Sequence, residues 1–274
     1  MKKIAIIGLG IIGGSLAGAL TNAGYRVDGT DLNEKSVQIA MEKGYIQAEA
    51  TAKDNYDAVF IAIPPKATAA LLETGTFKDG AFVADICGVK KLPERAVYAK
   101  KRNYRYIGLH PMAGKETSGI LSATPTLFQN ANLVITIAPE TDENTLKEAR
   151  KFAKEIGFGK IVECSADEHD QKIALTSQLA HIVSNAYVKS GQVRGCDGFT
   201  GGSFQDMTRI AGVDERVWTD LYFSNKENLL NELNGLISHL QEYVTALNAD
   251  DEKALAELLK AGRVIREGIK RGND

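Results

Sequence analysis

The chain has 274 residues, 44% of them hydrophobic and 25% charged, with a formal net charge of -2. That is an ordinary globular composition, and so small a charge gives no electrostatic reason to expect nucleic acid or an anionic membrane as partner. No apolar run approaches the roughly 20 residues that span a bilayer, no signal peptide is evident, and Cys87, Cys164 and Cys196 are isolated, so neither a disulfide framework nor a metal site is expected and the chain reads as cytoplasmic.

Residues 3–7 (KIAII) predict a buried strand that runs into Gly8, Gly10 and Gly13, and 12–23 predict a helix. In such a turn Gly8 permits the sharp bend, Gly10 lets a pyrophosphate touch the backbone, and Gly13 lets helix and strand pack closely. The free N–H groups of the helix then hold the phosphates. The loop Gly8, Gly10, Ile11, Ile12, Gly13 is therefore the expected dinucleotide contact, against the plainer reading of a structural turn. A second strand at 26–30 leads to Asp31, 18 residues after Gly13. A carboxylate there accepts hydrogen bonds from the adenosine ribose and repels a 2′-phosphate, which favours NAD over NADP. A helix at 33–43 follows, then an apolar strand within 57–65 stopped by Pro64 and Pro65. A helix at 66–74, a strand at 81–85, a helix at 91–101 and a strand at 104–108 continue the alternation. Residues 132–140 predict a strand, 141–157 a capped amphipathic helix and 159–164 a last strand. Such alternation implies a parallel sheet with helices on both faces.

After Cys164 the strand signals stop. Ser165 and Glu168 form a capping-box pattern that opens a helix to about Lys189. A glycine-rich stretch (195–204) precedes helical segments around 205–211, 214–249 and 251–271. The expected organisation is an α/β, Rossmann-type doubly wound NAD-binding domain over 1–165 and an all-α domain over 166–274. An all-α domain of that size with few breaks commonly packs against a second copy of itself.

Several polar residues need explaining. His110 follows a strand at its carboxyl end, where ligands of open α/β sheets bind, and Pro111 biases it away from helix. It fits either a proton acceptor working near neutral pH or a histidine satisfying a loop carbonyl. Ser177, His181 and Ser184 share one face of a largely apolar helix that carries no lysine or glutamate there. That stripe reads as the wall of a polar cavity rather than a solvated face. His169 and Asp170 lie in the first turn of the same helix, where capping and local salt bridges are expected. Asp206 and Arg209 are three apart on a short helix. Arg209 either pairs with Asp206 or binds a carboxylate ligand bidentately. Trp218, the single tryptophan, reads as core, and His239 carries no function.

Together, DICGVK (85–90), HPMAGKETSG (110–119), SQLAH (177–181), FQDMTRIA (204–211) and VWTDLYFSNKENLL (217–230), behind the N-terminal GLGIIGGS loop, resemble the prephenate/arogenate dehydrogenase family. The likeness runs in the family's order over nearly the whole chain. It implies NAD-dependent oxidative decarboxylation of prephenate to 4-hydroxyphenylpyruvate in tyrosine biosynthesis, or of arogenate to tyrosine, with a Rossmann domain and a helical homodimer domain. By motif, His110 is the catalytic histidine at the ring hydroxyl and Arg209 the cation for the ring carboxylate. His181 lies near the side-chain end, Glu116 and Asp206 support a polar gate, Trp218 helps line the site, and Ser177 belongs to the substrate contact. Pro64 belongs to the cofactor contact. The chain length implies no regulatory ACT domain and no fused mutase. Gly88 stands where relatives often carry serine beside the histidine, and Gln178 where many carry histidine. The rival readings are another dehydrogenase or imine reductase of Rossmann-plus-helical build, and a non-catalytic NAD-dependent sensor. The sensor would be expected to lack His110 or Arg209.

Overall fold

The computed structural model describes residues 2–51, 55–115 and 117–269. The chain up to Cys164 builds strands β1 (Lys3–Ile7), β2 (Arg26–Thr30), β3 (Ala48–Glu49), β4 (Ala58–Ile61), β5 (Phe82–Asp85), β6 (Arg105–Pro111), β7 (Asn132–Thr136) and β8 (Lys160–Cys164). Helices α1 (Ile11–Asn22), α2 (Glu34–Glu42), α3 (Pro65–Thr74), α4 (Lys91–Tyr98) and α5 (Glu143–Ile156) connect them. The strands form one sheet in the order β3-β2-β1-β4-β5-β6-β7-β8. Apolar residues cover both faces. On one, Leu16 and Leu20 of α1, Val37 of α2 and Phe152 of α5 pack on Ile4, Ile6, Phe60 and Phe82. On the other, Ala69 and Leu72 of α3 and Ala96 and Val97 of α4 pack on Ala5, Val59, Ile61 and Val83. Strands buried on both faces are near-continuous apolar runs, which is what KIAII and AVFI are.

One strand pairing departs from the parallel expectation. β6 and β7 are antiparallel, with His110 opposite Val134 and Pro111 opposite Leu133. Among the described residues of 112–131 no long helix carries the chain back between them, and a 3₁₀ turn lies at Ile120–Ser122. A parallel return needs a crossover of a dozen or more residues, usually helical. Here the connection stays at the carboxyl edge of β6 and leaves the segment after His110 beside the glycine loop.

Helices follow β8: α6 (Ala166–Ile173), a π-helical stretch (Ala174–Leu179), α7 (Ala180–Tyr187), α8 (Gly202–Thr208), α9 (Glu215–Ser224), α10 (Lys226–Asn248) and α11 (Glu252–Gly268). The single helix expected over 165–189 is thus interrupted by a wider turn. Ser165 caps it as the pattern requires, accepting from Glu168 N–H. The chain divides into two compact units, Met1–Lys226 and Glu227–Asp274. In the second, Asp251 caps α11, and Ile237, Leu240, Val244 and Leu247 of α10 stand exposed. Among the described residues no helix is long and apolar enough to cross a membrane.

Candidate active site

The sheet order reverses between β1 and β4. The chain leaves β1 towards β2 and leaves β4 towards β5, so the loops diverge and open a crevice at the carboxyl edge. Gly8 takes φ +92°, and a Cβ there would strike the Ala62 carbonyl. A Cβ on Gly13 would collide with the Gly8 carbonyl oxygen, whereas one on Gly10 would meet nothing within 4 Å. Two glycines are thus fixed by the protein's own packing, and the third faces open space. No side chain caps the N-terminus of α1. That combination fits a pyrophosphate. Asp31 is preset: its carboxylate accepts from Leu9 N–H (2.7 Å) and Asn33 N–H (2.8 Å). Those bonds fix its orientation at the end of β2, where a ribose would meet it.

Below this loop lies a cleft of about 670 Å³, lined by Gly10, Ile11, Ile12 and Gly13, by Pro64, by Cys87 and Gly88, and by His110 to Lys115. Its far wall is Ser177, His181, Arg209, Trp218 and Leu221. Three segments distant in sequence meet at His110. Its Nδ1 is 2.8 Å from Nε2 of His169, and Nδ1 of His169 is 2.7 Å from Oδ1 of Asp170. Asp170 also accepts from the backbone N–H groups of Lys90 (2.8 Å) and Lys91 (3.0 Å), which caps α4. The expected capping duty is real, but it serves another helix. His169 is not a local cap at all: it is a buried partner of His110. Nothing local in the sequence signals a contact across 59 residues.

The bonding pattern assigns the tautomers. A carboxylate only accepts, so His169 Nδ1 carries a hydrogen. Burial pushes the His169 pKa down against the raising influence of Asp170, so the ring is neutral and its Nε2 holds a lone pair. That lone pair accepts from His110 Nδ1–H. His110 is likewise kept well below the usual histidine range, first by burial and then by the positive charge of Lys90. Its Nε2 therefore carries a lone pair, and it lies 3.8 Å from where a Cβ on Gly88 would stand, on the cleft side. Lys90 is fully buried beneath the strand end. It donates from Nζ to Asp85 Oδ1 (2.6 Å) and to the Leu109 carbonyl (2.6 Å), while Tyr106 donates to the other Asp85 oxygen (2.7 Å). This fully satisfied pair holds the backbone just before His110 in place.

On the far wall, Ser177 and His181 border the cleft, while Ser184 does not. Ser184 is buried and donates to the Met207 carbonyl (2.7 Å), tying α7 to α8. His181 Nδ1 donates to the Ser177 carbonyl (2.9 Å), and its ring stacks on Trp218 with centroids 3.9 Å apart. Trp218 is thus half-buried cleft wall rather than core. The π-helical stretch ends just before His181, a local widening that is frequent at functional sites. Gln178 turns away: its amide bonds to the Leu221 carbonyl (3.3 Å) and to Asn225 (2.9 Å), joining the π-helical stretch to α9. Asp220 of α9 accepts from Lys66 N–H (3.3 Å) at the start of α3 and so anchors the helix that carries Trp218 and Leu221. Arg209 borders the cleft; Asp206 is exposed on α8 and is not among the lining residues. Glu116 lies outside the described residues.

Comparison with known proteins matches this organisation. The family model described as the nucleotide-binding domain of prephenate dehydrogenase matches residues 16–163, and that of its dimerization domain matches 165–261. The prephenate dehydrogenase of Lactococcus lactis subsp. cremoris is 31% identical over 98% of this chain and 78% of its own length. The cyclohexadienyl dehydrogenase of Zymomonas mobilis is 31% identical over 100% of this chain and 98% of its own. Among solved structures, prephenate dehydrogenase from A. aeolicus in complex with hydroxyphenyl propionate and NAD+ superposes with a TM-score of 0.86 at 27% identity, covering 98% of this chain and 99% of that one.

Proposed function

The chain belongs to the prephenate dehydrogenase family, and we infer that it catalyses the NAD-dependent oxidative decarboxylation of prephenate to 4-hydroxyphenylpyruvate, with His110 as the base. The observation that carries this reading is the neutral His110, whose Nε2 lone pair faces the cleft below the glycine loop.

NAD, when bound in the loop, supplies the hydride acceptor for the ring carbon that bears the hydroxyl. His110 Nε2 takes the hydroxyl proton as the carbonyl forms, a contribution of about 10²–10⁴-fold for a well-placed general base. The electrons of the bond to the ring carboxylate then move into the ring, carbon dioxide leaves and the ring becomes aromatic. Arg209, on the opposite wall, binds that carboxylate, the pairing for which a planar guanidinium is suited. His181, fixed by the Ser177 carbonyl and stacked on Trp218, meets the side-chain end of the substrate. The helical region from 166 onwards supplies this substrate wall and a homodimer contact. The exposed Ile237, Leu240 and Val244 recur at helical spacing on α10, which supports a second copy packing there.

Incubation with NAD and prephenate, followed by NADH absorbance, tests the reading; arogenate in place of prephenate tests the choice of side chain. NADH formation with prephenate and carbon dioxide release in equal amount are expected. No reduction with either substrate would overturn it.

A further inference from the structure

We propose that His169 is a positioning residue for the base: it accepts the hydrogen bond from His110 Nδ1–H, with Asp170 behind it, and so holds His110 in the one neutral tautomer that offers a lone pair to the cleft. The proposal rests on the reading of His110 as the base.

The line is built to be rigid. His169 and Asp170 are 2% and 1% exposed, so neither reaches substrate and both act through His110. Asp170 is gripped from three directions, by His169 Nδ1 and by the N–H groups of Lys90 and Lys91. Lys90, the N-cap residue of α4, has no side-chain cap of its own, so Asp170 couples the start of α4 to the imidazole line. Rotation of His169 would leave a buried carboxylate short of a donor and His110 Nδ1–H without an acceptor. Both losses resist the motion.

The choice of an imidazole between carboxylate and base has a chemical reason. A carboxylate placed directly against His110 would favour the imidazolium and hold the base protonated. A neutral imidazole gives the same directional acceptor without the charge. The charged groups facing the two rings are Lys90 from the loop before α4, Asp85 from the end of β5 and Asp170 from α6, while the Cys164 thiol at the end of β8 meets the backbone of His169 rather than its ring. Lys90 opposes protonation of both rings, and Asp170 is kept one ring away from His110. When His110 takes the hydroxyl proton at Nε2, its Nδ1–H stays on the His169 lone pair and that bond strengthens as the ring becomes cationic. As carbon dioxide leaves, the electron pair passes through the ring onto the carbonyl oxygen, which takes the proton back from His110 Nε2 to give the phenol, so no co-reactant beyond NAD is needed.

The test compares His169→Gln and His169→Met in the full-length enzyme. The glutamine amide oxygen reaches the place of Nε2 and accepts from His110; methionine fills the space without an acceptor of comparable strength. Both are checked for melting temperature and NAD binding. For His169→Met, kcat should fall by about 10–100-fold, the range for removing the partner that orients a working histidine. The Michaelis constants for prephenate and NAD should change by less than about threefold, since ground-state binding is untouched. His169→Gln should recover most of that loss. A His169→Met enzyme with normal kcat would overturn the proposal, as would equal losses in folded Gln and Met variants. His110→Asn is measured alongside. If it turns over normally, the base assignment fails and takes this proposal with it; an inactive His110→Asn beside a fully active His169→Met overturns this proposal alone.

Discussion

Gly88 stands beside the base, and Gly88→Ser tests what the missing side chain costs. The backbone there does not take positive φ, so an L side chain brings no strain of that kind. A Cβ would lie 3.2 Å from Leu221 Cδ2, 3.8 Å from His110 Nε2 and 3.9 Å from His110 Cε1. The first contact is tight, but it is with the end of a flexible side chain that borders an open cleft. The serine hydroxyl, one bond further out, falls within hydrogen-bonding reach of Nε2 in one rotamer. A neutral hydrogen bond of this kind is worth about 0.5–1.5 kcal/mol net, at most about tenfold in rate or affinity. The expected result is an active, folded enzyme whose kcat stays within about tenfold of the parent, with a modest rise if the hydroxyl orients the substrate oxygen. Steady-state kinetics with prephenate and NAD, together with a melting curve, read it out. A loss of NAD binding beyond about 100-fold would refute the reasoning, because it would show that the backbone at 88 must approach the nicotinamide bare.

For Arg209→Ala the loss should fall on binding: removing the partner of a desolvated carboxylate costs about 2–5 kcal/mol, so the Michaelis constant for prephenate should rise about 30-fold or more. An unchanged constant would make Arg209 structural. His110→Asn should lower kcat by about 100-fold or more with a smaller effect on substrate binding; near-normal turnover in the folded variant would remove it from the chemistry. Asp31→Ser should weaken NAD by about tenfold or more, the scale of a charge-assisted hydrogen bond, and improve use of NADP. A parent enzyme that prefers NADP would show that Asp31 does not face the ribose.

The fold was legible because its determinants are local. KIAII and AVFI announce buried strands, the Ser165 capping pattern announces a helix start, and that cap forms as spelled. The glycine loop was legible for the same reason: three glycines, a strand and a helix are contiguous. The antiparallel turn of β7 was not, because a strand's residues encode its burial and not its direction; the informative feature was the lack of a helical pattern between 112 and 131. The site was half legible. His110, His181 and Arg209 could be picked out as polar residues in odd surroundings, but their convergence on one cleft depends on segments about 70 and 100 residues away in sequence. His169 was misread because Asp170 beside it looks like a helix-start pair, whereas its partners Lys90, Lys91 and His110 come from the other end of the sheet domain. Ser184 was misread because the stripe records spacing and not partners: it lies in α7 with His181, but the Met207 carbonyl of α8, a segment 23 residues away, takes its hydroxyl.

The same burial that makes His110 a base has a thermodynamic consequence that separates this arrangement from an exposed histidine. Its pKa is held well below the ordinary value by burial and by Lys90, and that of His169 is lowered by burial. In the unfolded chain both rings take up protons near the usual value of about 6.5. Above that pH neither state is protonated and the histidines leave stability unchanged. Below it the unfolded state binds more protons than the folded one, so stability is lost as pH falls. The melting temperature should therefore decline from about pH 6.5 downwards, and less steeply in His110→Asn, which has one fewer buried ring to protonate. Activity should behave differently. The base stays neutral below the ordinary histidine value, so kcat/KM should hold its plateau through pH 6.5 and fall only at lower pH, where free-enzyme protonation begins. An acid limb centred at the ordinary histidine value, with parallel melting curves for parent and His110→Asn, would mean that water reaches His110 freely and that the line through His169 does not shield it.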